Sequence, residues 1–380
     1  MKPAAHLLGV LLLLGLAGLV SCSRAPEQSS EIVIGEYGSL TGTTATFGIS
    51  TKNGIDMAVD DANNAGGVLG KRVRIVIEDD QGRPEEAQTV VTKLITRDRV
   101  IAVLGEVASS RSLAAAPVAQ QNQIPMISPS STSPRVTQVG DYIFRVCFID
   151  PFQGFVMAKF VTETLKLRNV AILRDIKNDY SVGLADVFVE NMKQMGGTIV
   201  ADESYSEGDT DFSAQLTAIK AKNPQGIFIP GYYTEVGLVA RQARTLGLAV
   251  PLLGGDGWDS PKLWEIGGES LNNSYFSTHY SVDDPSPAIQ KFVADYKARF
   301  NEVPDGLAAL GYDAAHILFD AIRRANSIEP AQIRNALAQT KDYAGVTGTI
   351  TLDADRNAVK PAVVLRVQDG KLEYLETISP

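Results

Sequence analysis

Asp256 is a lone carboxylate in a glycine frame, LLGGDGWDSP over residues 252–261, placed where an apolar run stops. Four other stretches put polar or aromatic side chains just past apolar runs. They are GEVASSRS with Ser109 and Ser110, ISPSSTSP with Ser130, Ser131 and Thr132, RDIKNDYS with Tyr180, and PGYYTE with Tyr232 and Tyr233. Hydroxyls beside the free amides of a helix start form a neutral cradle for an anion such as a carboxylate. A carboxylate in apolar surroundings calls for a cation, and the ammonium of a small zwitterion would supply one. Tyrosines add flat apolar surface with a hydroxyl at its end. The pattern therefore reads as a binding site with an anion end and a cation end. Each residue also has a structural alternative: Ser109 as a helix N-cap, Asp256 as an acceptor for local amides, the tyrosines as half-buried packing. Asp259 or Ser260 is better placed to cap the helix expected after WDSP, which frees Asp256. Gly255 and Gly257 are expected to serve unusual backbone angles or the close approach of a ligand.

Catalytic chemistry finds little support. The chain has 3 histidines, His6, His279 and His316, in no metal-binding spacing. His316 lies in a helical apolar pattern and reads as structural. No G-x-S-x-G elbow occurs. GGVLGKR departs from a phosphate loop at Ala65 and Arg72 and falls between a helix and a strand, the wrong order. Asp79 and Asp80 are adjacent on a strand and point to opposite faces, which separates them as an acid–base pair. No enzyme activity, cofactor or metal is expected.

The elements that must position these residues alternate. IVIGEY precedes a helical pattern from about Ser50 to Asn64, and RVRIVIED precedes PEEAQTVVTKLIT, where Pro84 and the following acids suit a first helical turn. VIAVLGE, a helix near 113–121 and IPMISP complete a first set; NVAILRD, TIVADESY, GIFIP and VPLLGG, each except the last followed by a helical stretch, form a second. Repeated strand–helix units predict parallel sheets covered by helices, in two similar α/β lobes. Ligands of such sheets bind beyond the carboxyl ends of the strands, where the candidate residues fall. Two long helical patterns and a tail, GTITLDADRNAVKPAVVLRVQDGKLEYLE, read as strands joined by a turn, close the chain.

At the start, LLGVLLLLGLAGLV has the length of a signal h-region and ends in LVSC, a lipobox pattern with Cys22 as the acylated residue. Residues 23–30 suit a flexible tether. The expectation is an extracytoplasmic body held to a membrane by a lipid only. Loss of Lys2 with the leader changes the charge from −9 to −10, because 34 basic residues then face 44 acidic ones. An acidic chain without a basic block argues against nucleic acid as a partner. Cys147, in YIFRVCFI, reads as a buried strand thiol, and with Cys22 acylated no internal disulfide is available.

From Ile32 onward the chain resembles the branched-chain amino-acid-binding proteins of bacterial ABC importers, with the type I periplasmic-binding fold. The resemblance rests on GSLTGTTATFG, DANNAGGVLGKRVRIVIEDDQGRPEEA, ISPSSTSP, GYYTEVGLVARQARTLG and GGDGWDSP. It implies that Ser109 and Thr132 hold a ligand carboxylate, that Thr132 and the Ser130 carbonyl meet its ammonium, and that Asp256 is the ammonium's counter-ion. It places a first-loop aromatic on Phe47 and opposite-lobe aromatics on Tyr180 and Tyr232. It further implies a monomer that delivers an aliphatic amino acid to the membrane subunits of a permease. Three hinge crossovers are implied near Ile149, near Thr278 and around Val359, giving lobe 1 as 31–148 plus 279–358 and lobe 2 as 149–278 plus 359–380. Some relatives have glutamate in place of Asp256, tyrosine in place of Phe47, alanine in place of Ser130, or a first-lobe disulfide this chain lacks. These departures leave the side-chain preference open. A sensor of amides, urea or short peptides on the same fold is the alternative, and a need for Asp256 separates the two.

Overall fold

The computed structural model describes residues 31–380. The expected leader with Cys22 and the tether lie outside the described residues. Five parallel strands, β1 (Glu31–Gly38), β2 (Arg72–Asp79), β3 (Val103–Leu104), β4 (Met126–Ser128) and β5 (Ile143–Arg145), form one sheet in the order β2-β1-β3-β4-β5. Five more, β6 (Asn169–Asp175), β7 (Thr198–Tyr205), β8 (Gly226–Phe228), β9 (Leu252–Gly254) and β10 (Ser274–Thr278), repeat that order as β7-β6-β8-β9-β10, again all parallel. The two lobes expected from the strand–helix rhythm are thus two copies of one topology. In each, the strand order reverses beside the first strand, and the crevice outside the strand ends at that reversal is where such sheets take ligands.

The tail departs from expectation. Strands β11 (Tyr343–Gly345), β12 (Gly348–Leu352) and β13 (Ala358–Val359) form a separate small antiparallel sheet. Only β14 (Ala362–Gln368) and β15 (Lys371–Ile378) form the expected hairpin, and β14 pairs antiparallel with β10. The second sheet is therefore mixed rather than purely parallel. The chain leaves the first sheet after β5, leaves the second after β10, and rejoins the second at β14 after the small third sheet.

The helix expected from Ser50 begins five residues earlier, spanning Ala45–Asn64, so Phe47 sits in a first helical turn rather than on a loop. That helix packs on Gly306–Ala325 so closely that a Cβ on Gly54 would lie 1.9 Å from the Ala308 carbonyl oxygen, and one on Gly311 2.5 Å from that of Thr51. Pro84 opens the helix Pro84–Thr96, with Glu85 and Glu86 in its first turn, as the sequence predicts. Cys147 lies just beyond β5, not within it, and is fully buried; burial pushes its thiol up to about 12. Among the described residues, no helix is long and apolar enough to cross a membrane.

Candidate functional site

The ends of β3 and β4 face the ends of β6, β8 and β9 across the cleft between the sheets. Ser109 opens the helix Ser109–Gln121, with Ala108, not Ser109, in the N-cap position. The Ser109 and Ser110 amides precede its first backbone bonds, in which the Arg111 and Ser112 amides donate to the Ala108 carbonyl at 3.2 and 3.1 Å. The Ser109 hydroxyl accepts from the Ser133 amide at 3.2 Å, and the loop after β4 carries Ser130. From the other side, Asn178 caps the helix Asp179–Gln194 by accepting from the Tyr180 amide at 3.0 Å, which sets the Tyr180 ring at the helix start. Tyr232 precedes the helix Tyr233–Thr245. The Tyr180 and Tyr232 rings stack at 5.5 Å and 9°, and Phe47 meets Tyr232 edge-on at 5.2 Å. Burial raises both tyrosine hydroxyls well above the usual range, which keeps them protonated.

Six of the seven residues singled out as ligand-binding line one cavity: Phe47, Ser109, Ser130, Tyr180, Tyr232 and Asp256, joined by Val107, Gly257 and Leu307. The seventh, Thr132, is buried and does not line it. The cavity measures only ≈ 10 Å³, room for about one water. Three larger hollows, ≈ 470 Å³ beside Trp258 and Trp264, ≈ 520 Å³ between Arg135 and Asp186 and ≈ 440 Å³ beside Tyr312 and His316, hold none of these seven residues. Chemistry rather than size therefore marks the site. The cleft is shut by contacts across it: Thr234 Oγ1 donates to the Thr43 carbonyl at 2.7 Å, the Asp179 amide to Ser110 Oγ at 3.0 Å, and Tyr233 Oη to Thr46 Oγ1 at 3.1 Å.

Asp256 is 4% exposed. Gln153 Nε2 donates to its Oδ1 at 2.9 Å, His279 Nε2 lies 3.1 Å from its Oδ2, and Ser130 Oγ donates to Oδ2 at 3.4 Å. Burial depresses the affinity of His279 for a proton, so this imidazole is a neutral donor. Among the described residues the carboxylate thus has neutral donors and no cation in contact. Ser260 caps the helix Pro261–Gly267, accepting from the Lys262 amide at 3.2 Å, and Asp259 accepts from Gly306 N at 3.1 Å and from Thr278. Of the two expected candidates Ser260 takes the cap, whereas Asp259 bonds residues 19 and 47 positions away.

The glycine frame does not serve unusual backbone angles, one of the two causes expected for it. Neither Gly255 nor Gly257 is in the left-handed region. A Cβ on Gly255 would lie 2.5 Å from Tyr180 Oη, one on Gly257 2.7 Å from the Gly231 carbonyl oxygen and 2.9 Å from the Tyr232 ring, and one on Gly254 2.1 Å from the Trp258 ring. The glycines are spaces for rings, and the Gly257 amide donates to Tyr180 Oη at 3.2 Å.

Sequence reasoning missed His279 and Gln153, and it missed a buried ionic cluster beneath the hydroxyl wall. Arg111 Nη1 lies 3.0 Å from Glu106, and Ser39 Oγ lies 2.9 Å from Glu106 and 3.0 Å from Asp80, with one hydrogen to share between them. Burial and the nearby Glu106 push Asp80 up to about 7, against the opposing pull of Arg111. These partners are 5 to 67 residues apart in sequence, so no local motif could have signalled them. Arg111 is taken up by Glu106 and so is not a free cation for the cavity.

Residues 31–371 match the sequence profile of the family described as periplasmic binding protein. A Leu/Ile/Val-binding protein of Rhizobium johnstonii is 33% identical over 88% of this chain and 90% of that protein. Among solved structures, a leucine-binding protein from Thermotoga maritima superposes with a TM-score of 0.89 at 40% identity, covering 92% of this chain and 99% of its own. A branched-chain amino acid transporter substrate-binding protein from Streptococcus pneumoniae, solved with isoleucine, gives 0.88 at 38% identity over 92% and 100%.

Proposed function

Because this chain belongs to the periplasmic binding protein family, we propose that it captures an aliphatic, branched-chain L-amino acid in its interlobe cleft and presents it to an ABC permease. The observation that carries the reading is Asp256, a buried carboxylate with neutral donors and no cation, facing a wall of hydroxyls and helix amides across one cavity. A zwitterion satisfies both ends: its ammonium pairs with Asp256 and the Ser130 carbonyl, and its carboxylate takes Ser109, Thr132 and the first-turn amides. Phe47, Tyr180, Tyr232 and Leu307 enclose the aliphatic side chain.

A branched-chain amino acid needs far more room than ≈ 10 Å³, so entry requires the lobes to part. Hinges near 149, 278 and 359 would let lobe 1, 31–148 with 279–358, rotate against lobe 2. A ligand held by both walls favours the closed form, which a permease can distinguish from the open one. Each chain carries both walls of its cleft and works as a monomer. Acylation of Cys22 would hold the body at the outer face of a membrane, with 23–30 as the tether. The role is carriage without turnover.

Calorimetric titration of ligand-stripped protein with leucine, isoleucine, valine, glutamate and urea tests the reading. Micromolar or tighter binding of the aliphatic amino acids, lost in Asp256→Asn, is the expected result. Binding confined to urea or another neutral solute and unchanged by that substitution would replace it with an amide sensor.

A further inference from the structure

Asp256 is held by side chains that stand beside the lobe crossings. Gln153, from the helix Asp150–Lys159 that follows the first crossing, donates to Oδ1. His279, the first residue after β10 and so on the second crossing, faces Oδ2 at 3.1 Å. The His279 ring is buried and stacks at 3.9 Å and 24° on Phe148, which lies on the first crossing. Lys360, on the third crossing just past β13, is close enough to disfavour a proton on His279. One imidazole thus lies on one crossing, packs on a second and meets the carboxylate assigned to the ligand's ammonium.

Resting on that assignment, we infer that His279 is a positioning residue whose Nε2–H holds Asp256 toward the cavity and links ammonium capture to the hinge. A ring nitrogen facing a carboxylate carries the hydrogen, and the neutral tautomer then leaves Nδ1 bare; Nδ1 has no hydrogen-bond partner. A neutral donor suits this task better than lysine or arginine. A protein cation would satisfy Asp256 and compete with the ligand, whereas a neutral N–H orients the carboxylate and leaves its charge unmatched. The stack on Phe148 fixes the ring, so a change in the angle between the lobes moves the donor relative to Oδ2.

The test uses full-length wild type, His279→Phe and His279→Gln, titrated with L-leucine and with 4-methylpentanoate, which is leucine without its amine. Phenylalanine keeps the stack and removes the donor; the glutamine amide nitrogen reaches the position of Nε2. The Phe variant should bind leucine at least about tenfold more weakly, the loss expected for a hydrogen bond to a charged group. Its affinity for 4-methylpentanoate should change less than about threefold, and His279→Gln should restore leucine binding to within about threefold. Should the Phe variant fail to fold, His279→Asn, whose amide stops short of Nε2, reads the same contrast. Unchanged leucine binding in a folded Phe or Asn variant, or equal losses for both ligands, overturns the inference while sparing the assignment of function. Wild type that binds no aliphatic amino acid overturns both.

Discussion

Two buried carboxylates lie on opposite walls of the cleft and are treated differently. On the lobe-1 side, Glu106 is 1% exposed and meets Arg111 at 3.0 Å, with Ser39 and Asp80 in the same cluster. On the lobe-2 side, Asp256 is 4% exposed and has only neutral donors, Gln153, His279 and Ser130. An isolated buried charge is costly, and proteins match it with a partner or shift its protonation. Glu106 is matched within the protein and belongs to the scaffold. Asp256 is oriented but left unmatched, and that mismatch distinguishes a ligand site from a structural ion pair. The walls differ in the same sense: lobe 1 presents neutral hydroxyls and amides, lobe 2 a charge and aromatic rings.

The comparison breaks most readily by neutralising the two acids. Asp256→Asn should weaken leucine binding about 100-fold or more, the scale for losing one partner of a buried charge pair, while the melting temperature holds or rises. Glu106→Gln should do the reverse, lowering stability by about 3 kcal/mol because Arg111 is left without its main partner. Calorimetry and thermal melting on both variants check this. Equal losses of binding and stability in the two would erase the distinction.

Ser109→Ala sharpens the difference between the walls. Leucine affinity should fall about tenfold, while leucinamide, which lacks the carboxylate, should bind this variant as it binds wild type in competition titrations. Smaller again is the effect of pH on the fold. Burial pushes Glu36 and Asp150 up to about 8 each. For an acid raised in the folded state, stability is complete below the unfolded value near 4 and is lost as pH rises through the folded one. Melting temperature should therefore decline between about pH 5 and pH 8.5, and Asp150→Asn should flatten the slope; a melting temperature that climbs over this range would contradict the assignment. The smallest effect belongs to the rim. Arg135 and Asp179 pair across the cleft at 2.5 Å, but the Arg135 side chain is 67% exposed. Arg135→Ala should change leucine affinity by no more than about threefold, and less in high salt.

The repeated strand–helix rhythm made both lobes legible, because parallel sheets write their strands as short apolar runs and put function just after them. That placement brought Ser109, Ser130, Tyr180, Tyr232 and Asp256 to attention without a coordinate. Phe47 came only from family likeness, since an aromatic in a first helical turn has no local mark of function. The glycines were legible as a frame but not in purpose, because the ring beside Gly255 comes from 75 residues away in Tyr180 and the one beside Gly257 from 25 away in Tyr232. His279 and Gln153 were illegible because their importance lies in one long-range contact each. The tail's division between two sheets depends on which edges lie open, and periodicity does not record that.

The central claim is that the two charges of a zwitterion are held separately, its carboxylate by the hydroxyls and helix amides of lobe 1 and its ammonium by Asp256 of lobe 2 with the Ser130 carbonyl. Its most direct test is a parallel calorimetric titration of the wild-type protein with L-leucine, leucinamide and 4-methylpentanoate. Leucine should bind at micromolar affinity or tighter, about −8 kcal/mol or better, and each truncated analogue about 100-fold more weakly. An analogue lacking either charge that binds as tightly as leucine would contradict the account.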